Sequence, residues 1–210
     1  MINQQKTDLL KTFCAKNSSH RKYMQSPIRR DGHLYATNGW IGIRIPDDAT
    51  VEATDTMELQ RLCALFEHGE IEFHPLPALP EPVKCKHCHG TGKIYQEECP
   101  DCDGDGDFWH GNYKYDCKEC DGSGMLKCES NDDSKAESCW DCNGTGEADY
   151  RNGAVPVKIG DLHFQPHLLR LICDLPNAKI EQVRTTDPQQ TPGTHFIFDG
   201  GEGVVMPIRM

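Results

Sequence analysis

Four copies of one short pattern carry most of the chemistry open to this chain. They stand as CKHCHGTG (85–92), CPDCDGDG (99–106), CKECDGSG (117–124) and CWDCNGTG (139–146). Each Cys-x-x-Cys sets two sulfurs close enough to grip one ion from a tight turn, and zinc takes four such ligands tetrahedrally. One repeat is half a site, so four repeats supply two closed sites, and Zn2+ bound twice per chain is the expected cofactor. The glycines allow positive φ where the chain curls past the metal, and they let backbone N–H groups approach the thiolates. Paired cysteines have two other fates, a disulfide framework and an iron–sulfur cluster. Even pairing and a fourfold Gly-x-Gly tail favour zinc over both.

Other reactive side chains are scattered. Cys128 has no partner in its own repeat and reads as a free surface thiol. His87, His89 and His110 lie near the repeats and compete as ligands, but eight cysteines complete two sites without them. Cys14, Cys63 and Cys173 sit singly in apolar surroundings. His163, His167 and His195 read as surface or packing residues. There is no Gly-x-Ser-x-Gly and no Walker loop, so the chain is expected not to be an enzyme.

The totals narrow the setting. Nine of the twelve cysteines fall between Cys85 and Cys142 in a chain of 210 residues. No apolar run is long enough to cross a bilayer, and no membrane partner is expected. The opening MINQQKTDLLKTFCAKN lacks the pattern of a secretory signal, which makes the cytoplasm the expected compartment, where thiols stay reduced. The formal charge of −11 argues against general nucleic-acid binding. Residues 1–30 nevertheless carry seven Lys or Arg against Asp8 alone, which leaves DNA as a partner for that segment.

The elements that must hold the repeats read as an α+β body with an insertion. A helix is expected over 7–16, with Leu9, Leu10, Phe13 and Cys14 on one face. Strands follow around 27–30 and 40–45, separated by the turn signals Asp31-Gly32 and Asn38-Gly39. A helix over 55–67 buries Met57, Leu59, Leu62, Cys63, Leu65 and Phe66, and 71–73 reads as a strand. The proline-rich run 75–82 is expected to be a stiff, extended hinge. Beyond the cysteine-rich part, VPVKIGDLHF reads as strand, Pro166 opens a helix through Cys173, and strands are expected over 179–184, 195–198 and 204–208. The expected domains are 1–80 and 150–210 for the two parts of the body and 83–148 for the module. A module with so little apolar core needs metal to fold.

The four repeats resemble the cysteine-rich zinc domain of the DnaJ chaperone family over residues 85–146. In that family the first repeat pairs with the fourth and the second with the third, on a V-shaped β-hairpin scaffold. The resemblance implies that Cys85, Cys88, Cys139 and Cys142 hold one zinc, and Cys99, Cys102, Cys117 and Cys120 the other. It implies contacts to unfolded polypeptide or a specific protein partner, and assistance with thiol chemistry. The chain departs from the family in having no J domain and no His-Pro-Asp tripeptide, so stimulation of a partner chaperone's ATPase does not carry over. The body is similar to a domain of the bacterial sliding clamp, the β subunit of the replicative polymerase. The similar stretches are DLLKTFCAKN, LYATNGWIGIRI, VKIGDLHFQPHLLRLICDLPNAKIEQV and the tail GGEGVVMPIRM. That resemblance implies a clamp-like body and a basic helix bearing Lys6, Lys11 and Lys16 that faces DNA; since one domain cannot close a ring, it implies either a homo-oligomer or a role as decoy or adaptor.

Three functions follow as expectations. The first is a zinc-stabilised protein-interaction module on an α+β scaffold. The second is a clamp-like accessory factor of DNA replication or recombination, possibly phage-borne. The third is a thiol-disulfide oxidoreductase acting through Cys128 or a labile zinc site.

Overall fold

The computed structural model describes residues 2–16, 22–49, 51–55, 60–128, 136–185 and 193–209. The chain opens with α1 (Ile2–Phe13), which buries Leu10 and Phe13 on one face. It begins and ends earlier than the apolar spacing alone indicates, and Lys16 lies beyond its end. Three antiparallel strands follow: β1 (Ile28–Arg30), β2 (His33–Thr37) and β3 (Ile41–Pro46). Asp31 and Gly32, both at positive φ, make the first turn. In the second, the Asn38 side chain accepts from the N–H groups of Trp40 and Ile41. The sequence reading has no strand at β2, whose buried Leu34 and Ala36 alternate with Tyr35 and Thr37, themselves buried on the opposite face. Burial on both faces removes the polar alternation that marks a strand.

Next come β4 (Thr54–Asp55), the short α2 (Gln60–Ala64) and β5 (Phe73–Pro75). Met57 and Leu59 of the expected helix lie outside the described residues. The cysteine-rich part contributes β6 (Lys93–Ile94), β7 (Gln96–Glu98), β8 (Asp107–His110), β9 (Tyr113–Asp116), β10 (Met125–Lys127) and β11 (Glu137–Ser138). After it the chain forms the hairpin β12 (Val157–Ile159) and β13 (Leu162–Phe164), where the sequence reads as one strand. Then come α3 (Pro166–Cys173), β14 (Lys179–Glu181), β15 (Thr194–Phe198) and β16 (Gly201–Val205).

One eight-stranded sheet in the order β4-β1-β2-β3-β16-β15-β14-β5 organises the body. Only the β1–β4 pair is parallel among its ladders. A helix followed by three strands occurs twice, as α1-β1-β2-β3 and as α3-β14-β15-β16, and the two sets meet at β3 and β16. Both helices bury their apolar faces in one core with Ile41, Ile43, Ile45, Phe196 and Phe198. The opposite face is covered locally, where Phe66, Leu62 and Cys63 pack on Tyr35 and Val204. The last strand starts three residues before the expected 204–208, and two glycines hide it from a pattern search. Gly203 is glycine because the Phe196 ring fills the space a side chain would take.

The proline-rich run is anchored to the body. Leu76 and Leu79 pack against its core, and the Pro80 carbonyl accepts from the Arg170 guanidinium of α3. The Arg170 Nε also donates to Glu147 Oε2 at 2.8 Å, so one arginine fastens both the outgoing and the returning strand of the module.

Candidate metal centres

The module is a chain that goes out and comes back. Lys84 bridges to Glu147 at its root, the Cys85 N–H donates to the Gly146 carbonyl, and the Cys139 N–H donates to the Gly92 carbonyl. Further out, the Cys99 N–H donates to the Gly124 carbonyl and the Cys117 N–H to the Gly106 carbonyl. Repeat one therefore faces repeat four, and repeat two faces repeat three, each through a reciprocal pair of backbone bonds.

This pairing gathers the sulfurs into two buried groups. Cys85, Cys88, Cys139 and Cys142 form the proximal group, and Cys99, Cys102, Cys117 and Cys120 the distal one. Sγ–Sγ distances across the paired repeats are 4.0 Å for Cys85–Cys139, 3.7 Å for Cys88–Cys142, 3.9 Å for Cys99–Cys117 and 3.7 Å for Cys102–Cys120. A disulfide needs about 2.05 Å, and all twelve cysteines are free thiols. Four sulfurs at about 2.3 Å from one zinc would stand roughly 3.8 Å apart along the edges of a tetrahedron. The observed spacing matches that edge, so the donor set fits a closed zinc site in both places. His89 and His110 are exposed. His87 packs against Trp140, the ring centroids 4.5 Å apart and the planes tilted by 59°. None of the three belongs to either four-sulfur group.

The repeats build each site by a shared local geometry. The second cysteine of every repeat accepts the N–H of the glycine four residues on: Gly92, Gly106, Gly124 and Gly146 each donate to a sulfur at 3.2 Å. A methyl group at any of these glycines would drive into the backbone carbonyl of the facing repeat. The residue before the first glycine of each tail is also left-handed: His89, Asp103, Asp121 and Asn143 have φ of 53°, 50°, 49° and 51°. Asn, Asp and His are the side chains that tolerate this region best. Sequence reasoning missed that role, yet the signal stands in the fifth position of all four repeats.

The backbone donors also set the acidity of the thiols. Loss of water pushes Cys85 up to about 11 and Cys102 up to about 12. The same loss acts on Cys88 and Cys120, but glycine N–H groups and neighbouring sulfurs outweigh it and bring both down to about 7. The glycine N–H groups thus favour the thiolate form in each group, the form in which sulfur binds a metal ion.

No family model matches this chain, and no curated protein and no solved structure is significantly similar to it. The site is therefore read from its own geometry. The two centres differ in surroundings. The proximal one abuts the body: Asp141 accepts from Asn152, the Tyr150 N–H donates to Gln165, and Lys16 lies alongside Gly144. A cleft of about 550 Å³ opens there, lined by Trp40, Trp140, Tyr150, His167 and Met206. The distal centre lies between the β7–β10 ladder and the β8–β9 ribbon, whose base is the Cys117–Gly106 backbone bond.

Cys128 is half-buried, and its N–H donates to the Tyr95 carbonyl. The connector after it, 129–135, lies outside the described residues. Of the lysines expected to face DNA, Lys6 is ion-paired with Asp48 and Lys16 rests against the module. Among the described residues no helix is long and apolar enough to cross a membrane.

Proposed function

We propose that this protein is a zinc-stapled interaction protein: an α+β body that holds out a rigid finger for a polypeptide partner, with a zinc ion at each four-sulfur group. The observation that carries the reading is the ribbon at the finger's end. Phe108, Trp109, Tyr113 and Tyr115 are 45%, 68%, 71% and 55% exposed there. Large aromatic side chains of this kind are prominent among the residues that dominate protein–protein affinity. An ordinary surface strand exposes polar residues in these places. The reading assigns the chain no reaction of its own. Its test is the aggregation of a reduced, unfolded client protein. The zinc-loaded protein should suppress it, and a Phe108→Ser/Tyr113→Ser/Tyr115→Ser variant that keeps both zinc ions should not. Equal suppression by both, or by neither, contradicts the reading.

A second reading, the clamp-like accessory factor, draws on the doubled helix-plus-three-strands arrangement and on two helices sharing one face of a continuous sheet. The ion pair of Lys6 and the position of Lys16 weigh against a free basic helix facing DNA. Salt-sensitive duplex binding that disappears on charge reversal of Lys6, Lys11 and Lys16 would favour it. The thiol-disulfide reading has least support, since eight of the cysteines lie in the two metal groups. Reduction of insulin disulfides by the zinc-loaded protein would revive it.

A further inference from the structure

The ribbon's two faces are chemically distinct, and the difference points to a partner. Directly opposed residues of an antiparallel pair share a face, as do residues two apart in one strand. The register Phe108↔Tyr115 and His110↔Tyr113 therefore puts four rings on one side. Trp109↔Lys114 and Asp107↔Asp116 occupy the other, with Lys114 Nζ 2.8 Å from Asp107 Oδ2. A two-stranded ribbon is marginal on its own in water, and every residue of β9 is exposed. The face with Phe108, His110, Tyr113 and Tyr115 is thus an exposed aromatic surface, uncovered among the described residues.

Its surroundings are strongly negative. Residues 97–124 hold nine carboxylates and two lysines, a formal −7 of the chain's −11. Asp101, Asp103, Asp105, Glu119 and Asp121 are exposed around the distal knuckles. Zinc held by four thiolates would add about two further negative charges. Rings beside so acidic a stretch of chain favour cations twice over, through the π faces and through the long-range field of the charges. The same field repels a phosphate backbone, although stacked aromatics would otherwise suit single-stranded nucleic acid.

We infer that the aromatic face of the β8–β9 ribbon docks a basic, extended segment of another protein, with Lys or Arg side chains lying over the rings in the field of the acidic knuckles. This rests on the polypeptide-binding reading above and adds the sign of the partner's charge.

The test uses the full-length, zinc-loaded protein and fluorescence anisotropy of short labelled peptides. One peptide alternates Lys or Arg with Leu, and a second has the same Leu content with Glu in place of the bases. A single-stranded oligonucleotide is the third probe. The basic peptide should bind at least about tenfold more tightly than the acidic one and weaken as salt rises. Phe108→Ser/Tyr113→Ser/Tyr115→Ser should abolish binding. Asp101→Asn/Asp105→Asn/Glu119→Gln should shrink the preference for the basic peptide. Both variants should retain two zinc ions by elemental analysis, which shows that the finger is still folded. Equal affinity for both peptides, lost in the serine variant, would overturn the charge inference and leave polypeptide binding standing. Binding to neither peptide would sink both, and tighter binding of the oligonucleotide would replace them with a nucleic-acid site.

Discussion

Phe196 and Cys99 are both fully buried, yet what surrounds them differs in kind. Phe196 lies in a core shared by two helices and a continuous sheet, joined by residues from α1 to β16. Cys99 lies among three other sulfurs with one partly buried leucine, Leu126, against the group. Burying an apolar side chain such as Phe196 contributes about 1.5–3 kcal/mol from released water. Four thiols brought together contribute nothing comparable until a cation joins them. The body is thus built on a hydrophobic core and the finger on two four-sulfur groups able to hold a metal ion, within a single chain.

Chelation should separate the two most sharply. Structural zinc supplies about 10–16 kcal/mol of apparent folding free energy in small modules, so stripping the metal should unfold residues 83–148 and leave the sheet intact. Hydrogen exchange would show the finger losing protection while β3, β15 and β16 keep theirs. Simultaneous collapse of both would show that the body depends on the finger.

The converse experiment is Phe196→Ala. It should cost about 3–5 kcal/mol of body stability, typical of an aromatic cavity, and elemental analysis should still find two zinc ions in the folded protein. Loss of zinc in that variant would break the comparison.

Much of the finger was legible because its chemistry is local. Eight cysteines at fixed spacing name their own role, and the glycine tail states how the chain must turn. The body was less legible because its pattern is set at long range. The strand β2 carries buried residues on both faces, so its alternation vanishes, and β16 opens on two glycines hemmed in by other strands, Gly201 by the Arg44 carbonyl and the Phe198 ring and Gly203 by the Phe196 ring. The proline-rich run reads as a stiff, extended hinge, and nothing nearby in sequence reveals that Leu76 and Leu79 reach the distant core. In the finger, the close approach of facing glycine tails was hidden for the same reason, since it joins residues far apart in the chain.

That approach sharpens the comparison at smaller scale. Gly106→Ala places a methyl group against the Gly122 carbonyl at a left-handed φ of 80°, and should weaken the distal zinc by about 10-fold or more in chelator competition. Gly111→Ala, at φ 62° with nothing nearby, should cost only about 1 kcal/mol of backbone strain and leave zinc affinity unchanged.

The smallest effect belongs to the body's polar face. Glu202 accepts from Arg44 at 2.7 Å and lies 3.1 Å from His68. The Gly69 carbonyl, helped by Glu202, holds the His68 imidazolium above its ordinary 6.5. A raised folded-state value means the contribution is complete below about pH 6.5 and fades as pH climbs through the raised value. His68→Asn should therefore cost about 0.5 kcal/mol at pH 6 and less at pH 8, read from urea denaturation. A loss that grows with pH would contradict this assignment.

Zinc K-edge X-ray absorption on protein purified without chelator, paired with elemental analysis, bears most directly on the finger's two four-sulfur groups. Two zinc ions per chain, each with four sulfur neighbours at about 2.3 Å, is the expected result. One ion or none, or nitrogen and oxygen in the coordination shell, would contradict it.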